Sequence, residues 1–175
     1  MQVGLFLGVV VEVSSKRVAL TAVLISIGVV LAPIVYFPIG PTKCYPIQHM
    51  INAVAGVLLG PWYAAGIATA IGIIRYTSGF GTIFAFPGGI PGALVVGLVH
   101  RYIRRSDYAA LTEPIGTVVI GATLSALVFA PLIGRIKPLA FFWTFFAASS
   151  IPGCILGFIV IKMLRRAEIA ERLVD

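Results

Sequence analysis

Five intervals of this 175-residue sequence run for more than twenty positions without a Lys, Arg, Asp or Glu: Val18 to Thr42, Cys44 to Ile74, Tyr76 to His100, Pro114 to Gly134 and Pro138 to Ile161. A helix rises about 1.5 Å per residue and a hydrocarbon core is about 30 Å thick, so each interval is long enough to cross a membrane. Only 11% of residues are charged, under half of the roughly 25% usual in a soluble domain, and the mean hydropathy is +1.06. Together these exclude a soluble enzyme with a single anchor, a disordered chain and a disulfide scaffold.

The second interval, 31 residues long, would extend about 46 Å as one helix and must fold back. Gly60-Pro61 is the natural hinge, because glycine suits the end of one helix and proline the first position of the next. The expectation is an all-α, polytopic membrane protein built as a six-helix bundle, with helices near 17–37, 47–59, 61–77, 84–103, 114–134 and 138–164. The second helix is short, and a reentrant hairpin is its structural alternative. No segment alternates with period two over ten residues, so a barrel is not expected.

Placing both termini in the cytoplasm puts Lys16, Arg17, Arg101, Arg104, Arg105, Lys162, Arg165, Arg166 and Arg172 inside. Lys43, Arg75, Arg135 and Lys137 then fall outside, which obeys the positive-inside rule. The formal charge of +7 is thus a matter of topology and not of nucleic-acid binding. All six acids, Glu12, Asp107, Glu113, Glu168, Glu171 and Asp175, are expected on the inner side. The domain plan is an N-terminal extension (1–15), a transmembrane domain (16–166) and a cytoplasmic tail (167–175). Residues 1–12 are apolar but too short to span and are followed by no convincing cleavage site.

Polar groups at membrane depth are costly and point to function. The densest set is Pro46-Ile-Gln48-His49-Met-Ile-Asn52, preceded by Tyr45. Gln48 and Asn52 share a helix face, with His49 beside it. Such a face can hydrogen-bond a small heteroaromatic ligand without carrying fixed charge, or simply fasten neighbouring helices. Arg75, in Arg75-Tyr-Thr-Ser-Gly79, either contacts ligand or snorkels to headgroups. Trp143, with Tyr36, Tyr45, Phe84 and Phe146, either forms a stacking wall or belongs to the interfacial aromatic belt. Trp62-Tyr63 is assigned to the inner belt. Glycines in Phe86-Pro-Gly-Gly-Ile-Pro-Gly92 allow a bent or broken helix start. The small residues Ser15, Ala19, Ala22 and Ser26 form a stripe for close helix approach, within the bundle or against a partner subunit.

The sequence has no phosphate loop of the G-x-x-x-x-G-K-[ST] type, no H-E-x-x-H and no G-x-S-x-G. Its two histidines fall on opposite sides, and Cys44 and Cys154 form no C-x-x-C unit, so neither a metal site nor a redox pair is expected. With no carboxylate expected in the membrane core, ion-coupled carriage is disfavoured and intramembrane catalysis has no visible machinery. If the chain transports actively, its energy must come from elsewhere, and no enzyme activity is expected.

Pro46-Ile-Gln-His-Met-Ile-Asn52, then Leu58-Leu-Gly-Pro-Trp-Tyr63, then Ala85-Phe-Pro-Gly-Gly89 resemble the ThiW family. Its members are regarded as substrate-binding S components of energy-coupling factor (ECF) vitamin transporters, linked to uptake of the thiazole precursor of thiamine. The resemblance implies a plasma-membrane S component that captures hydroxyethylthiazole at its outer face. It also implies association with a transmembrane T component and two ATPase subunits, which consume ATP while this chain carries no cofactor, and release of ligand by toppling. Its A-x-x-x-A docking pattern is only approximated by Ser15-x-x-x-Ala19 and Ala22-x-x-x-Ser26. The loop from Phe37 to Pro46, stiffened by Pro38, Pro41 and Pro46, would close over a thiazole held by Gln48, His49 and Asn52. Two other classes stay open: an S component for a pyrimidine precursor or another vitamin, and a structural membrane subunit. A membrane enzyme ranks third.

Overall fold

The computed structural model describes residues 14–40 and 42–174. The expectations attached to the N-terminal segment, to Pro41 and to Asp175 lie outside the described residues. The fold is helical: α1 (Ser15–Leu31), α2 (Pro46–Leu58), α3 (Pro61–Thr77), α4 (Ala85–Leu98), α5 (Asp107–Leu132), α6 (Leu139–Arg166) and the short terminal α7 (Ile169–Val174). The first six make the bundle. Of these, α5 and α6, at 26 and 28 residues, are long and apolar enough to cross a membrane unaided.

The hinge forms as the sequence dictates. Gly60 takes φ +86°, a conformation that L side chains rarely adopt, and Pro61 opens α3 with its φ already set. The first helix ends at Leu31, six residues short of the expected 37. Pro33 sits just beyond, and the chain then turns into a hairpin of β1 (Phe37–Ile39) and β2 (Thr42–Cys44). Phe37 faces Cys44, Pro38 faces Lys43 and Ile39 faces Thr42, with Gly40 at φ +51° supplying the turn.

At thirteen residues α2 is about 20 Å long, too short to bridge the hydrocarbon alone. It does not need to. Every residue of α2 except Met50 is buried, because α2 runs through the middle of the bundle against α1, α3, α4 and α6. Its apolar face, Ile47, Ile51, Val54 and Leu58, joins Leu20, Leu24, Ile67 and Ile71 in the main core. A second cluster of Ala122, Ala126, Ala130 and Phe142 joins α5 to α6.

Helix α4 is continuous from Ala85, so its glycines do not break it. They admit neighbours instead. A Cβ on Gly92 would strike the side chains of Glu113 and Thr117, and one on Gly89 would strike the Gln48 amide. Pro91 inside α4 removes one helical hydrogen bond, and the partnering stretch of α5, Ile115–Gly121, is wound as a wider π-helix.

Candidate functional site

Helix α2 carries the polar face at a single end of its length. Pro46 starts the helix, so Gln48, His49 and Asn52 fall on its first two turns, and all three are buried. The fourth member of this group comes from α5. Glu113 is fully buried and lies against the middle of both α2 and α4, at Asn52 and Gly92. The expectation that all six acids sit at the inner surface is therefore wrong for Glu113, and so is the absence of a carboxylate from the core. The reason is local: α5 begins at Asp107, not at 114, and its first turns carry Glu113 into the bundle. The argument against ion coupling that rested on this absence falls with it.

Glu113 is held by side-chain donors from three helices. His49 Nδ1 donates to Oε1 at 2.8 Å, Asn52 Nδ2 donates to the same oxygen at 3.0 Å, and the Ser150 hydroxyl of α6 donates to Oε2. The Thr117 hydroxyl, one turn along α5, stands 2.7 Å from Oε1 and 2.9 Å from the Gly88 carbonyl. A carboxylate surrounded in this way has its lone pairs met without a contacting Lys or Arg.

Toward the hairpin the network changes character. Arg75 is 2% exposed, so it does not snorkel. Its Nη1 donates to Gln48 Oε1 and its guanidinium lies 4.1 Å from the centroid of the Tyr45 ring. Gln48 Nε2 donates to the Ala85 carbonyl at 3.3 Å, the Tyr45 hydroxyl to the Phe80 carbonyl at 3.3 Å, and the Tyr45 backbone N–H to Ser149 Oγ at 2.8 Å. Tyr36 packs on Tyr45 with centroids 6.0 Å apart, and Lys43 Nζ lies 4.5 Å over Tyr36. Two buried side-chain atoms of this network have no hydrogen-bond partner: Asn52 Oδ1 and Arg75 Nε.

Of the residues singled out in the sequence, Gln48, His49, Asn52, Tyr45 and Arg75 are thus brought together. Phe84 packs at 5.3 Å on Phe142, and Phe146 rests on Gly88, so this aromatic wall adjoins the network at its edge. Trp143 is not part of it. Its ring is on the exposed face of α6, and its indole N–H donates to Thr123 at 3.2 Å. Ser15, Ala19, Ala22 and Ser26 are all exposed along α1. Sequence reasoning missed Glu113, Thr117, Ser149 and Ser150. Glu113 and Thr117 at i and i+4 share a helix face, and that spacing was the available signal.

The face without fixed charge expected from the sequence is not what forms among the described residues. The network is closed by its own packing and contains a carboxylate and a guanidinium. Two cavities among the described residues have no lining side chain from the network. One of about 530 Å³ is an apolar groove along α1, lined by Ala19, Leu20, Met50, Val54 and Leu164 among others, and one of about 330 Å³ lies beside Trp62 and Tyr63. Both flank α1.

The sequence matches the family described as Thiamine-precursor transporter protein (ThiW) over residues 18–167. No curated protein and no solved structure matches the chain. The matched segment runs from the first turn of α1 to the end of α6 and contains every residue of the polar network, and the chain belongs to this family of membrane transporters of thiamine precursors.

Proposed function

We propose that this chain is the substrate-capture subunit of an ATP-driven ECF importer, and that the network around Asn52 is its ligand site in closed form. The ligand is hydroxyethylthiazole, taken up from the outer face of the plasma membrane. The T component and two ATPase subunits supply the energy, and both termini face the cytoplasm. The end of the bundle carrying Lys16, the Arg101–Arg105 run, Lys162 and Arg165 is then the inner end. The hairpin and Tyr45 form the outer lid, which must swing away from Arg75 for a ligand to reach the network. The exposed small residues Ser15, Ala19, Ala22 and Ser26 are offered to the T component.

The observation that carries this reading is a buried polar network with unpartnered atoms, Asn52 Oδ1 and Arg75 Nε, inside a chain of a thiamine-precursor transporter family. Each buried orphan costs about 1–3 kcal/mol unless a ligand or water meets it. A second reading is favoured by the closed packing: the network fastens helices and captures nothing.

Binding to the purified chain in detergent separates the two. Hydroxyethylthiazole should bind, and should survive competition from a panel of aminopyrimidines. Asn52→Leu should weaken binding by about tenfold or more while the melting temperature stays within a few degrees. Unchanged affinity in that variant assigns Asn52 to helix fastening. Absence of binding to any thiazole or pyrimidine, in a chain that still assembles with partner subunits, supports the structural reading.

A further inference from the structure

The polar residues of the network divide into those already committed to one another and those with an atom to spare. Gln48 is committed at both ends of its amide, to Arg75 and to the Ala85 carbonyl. His49 Nδ1 is committed to Glu113, and its Nε2 is not among the sealed atoms left without a partner. Asn52 is different. Its Nδ2 donates to both the Gly89 carbonyl and Glu113 Oε1, each at 3.0 Å. Two acceptors on one side of the amide fix its orientation, because a flip would set Oδ1 against both. Oδ1 is therefore turned away as a lone acceptor without a partner. Arg75 is its counterpart: Nη1 is taken by Gln48, one guanidinium face is covered by Tyr45, and Nε–H is left as a lone donor.

Resting on the function proposed above, we infer that Asn52 Oδ1 and Arg75 Nε are the two atoms that read the ligand, and that Glu113 is the positioning residue that aims Asn52. Complementarity then specifies the ligand class: a small neutral ring bearing one hydrogen-bond donor for Asn52 and one acceptor for Arg75. Gln48, which holds Arg75, and Asn52 stand one helical turn apart, about 5–6 Å between Cβ atoms. A single heteroaromatic ring with a short hydroxylated arm offers that pair of groups, its ring nitrogen as acceptor for Arg75 and its hydroxyl as donor for Asn52. Neutrality follows from the depth of the site, where an added charge without a partner is costly to bury. Gly92 and Gly89 complete the device, since a Cβ at either would displace Glu113 or Gln48.

The test compares 4-methyl-5-(2-hydroxyethyl)thiazole with 4-methyl-5-ethylthiazole, which differs only by the hydroxyl, on the purified full chain. The wild-type protein should prefer the hydroxylated compound by about tenfold or more, because the ethyl compound leaves Oδ1 without a donor. Glu113→Gln replaces an acceptor-only carboxylate with an amide that can also donate, so Asn52 is no longer fixed by two acceptors, and the preference should fall to about threefold or less, a change in selectivity that a purely structural role would not produce. Equal affinity of the wild type for both compounds overturns the inference while leaving thiazole capture standing, and assigns the two atoms to a water or to each other. Binding of neither compound overturns the capture reading and this one with it. A preference that Glu113→Gln leaves intact removes Glu113 from the positioning role. If Glu113→Gln does not fold, Gly92→Ala, whose added methyl displaces the same carboxylate, takes its place, and a preference that it leaves intact removes Glu113 from the positioning role.

Discussion

Two acids on α5, Asp107 and Glu113, are six residues apart and live in opposite electrostatic settings. Asp107 begins the helix and is clasped by cations of α6, with Arg165 Nε at 2.5 Å and Lys162 Nζ at 3.0 Å. Those partners are about half exposed, and although Asp107 itself is buried, water and salt reach the pairs from the cationic side. Glu113 is sealed and meets only neutral or imidazole donors. The first arrangement is what a helix end can do anywhere at an interface. The second commits donors from α2, α5 and α6 to one carboxylate, so Glu113 joins helices and orients a binding face at once. The comparison breaks most directly at Glu113→Ala. Removing the acceptor strands His49, Asn52 and Ser150, and at about 1–3 kcal/mol per buried unsatisfied donor the loss should be about 3 kcal/mol or more. Thermal unfolding in detergent measures it. A fall no larger than that of a surface variant would mean that the donors re-pair and that the contrast between the two acids is only geometric.

Next in size is Gly92→Ala, which leaves the carboxylate in place and crowds it. The added methyl meets Glu113 Oε1 and Thr117 Oγ1, and overpacking of this kind costs about 1–3 kcal/mol. Gly66→Ala on α3 meets nothing within 4 Å and serves as the control, expected to be neutral or stabilising by up to about 1 kcal/mol. If the two substitutions have the same effect on melting temperature, the packing around Glu113 yields more readily than the close approach of Gly92 indicates.

The same two acids show what could be read in the sequence and what could not. Dividing the chain at every charged residue found the six helices and the Gly60-Pro61 hinge, because lipid tolerates neither charge nor unpaired backbone and the pattern of long apolar runs reports that directly. The polar face of Gln48, His49 and Asn52 was legible for a related reason, since three such groups in two helical turns stand out against an apolar background. That division was bound to misplace Glu113. It treats each carboxylate as a boundary, whereas a carboxylate with enough donors is an interior group, and its donors lie 61 and 64 residues away on α2 and 37 away on α6. No local pattern encodes such distant partners. The hairpin at 37–44 and the burial of α2 escaped for the opposite reason: both are set by what covers the segment, and not by its own hydropathy. Trp143 was drawn toward the site by its chemistry alone, while its helix face points it outward.

The smallest expected effect sharpens the comparison from the other acid. Asp107→Asn keeps the shape of the side chain and removes its charge, so what is lost is the attraction of Arg165 and Lys162 and a favourable charge at the start of α5. Because both cationic partners are substantially exposed, the cost should be about 1 kcal/mol or less and should shrink as salt is raised from low ionic strength to about 0.5 M. The Glu113→Ala loss should hardly change over the same range, since no screening ions reach a sealed carboxylate. Melting curves of both variants at two salt concentrations therefore give four numbers whose pattern is fixed beforehand. A salt-dependent loss at Glu113 would mean that water penetrates to the network, which would place the closed site in exchange with an open one even without ligand.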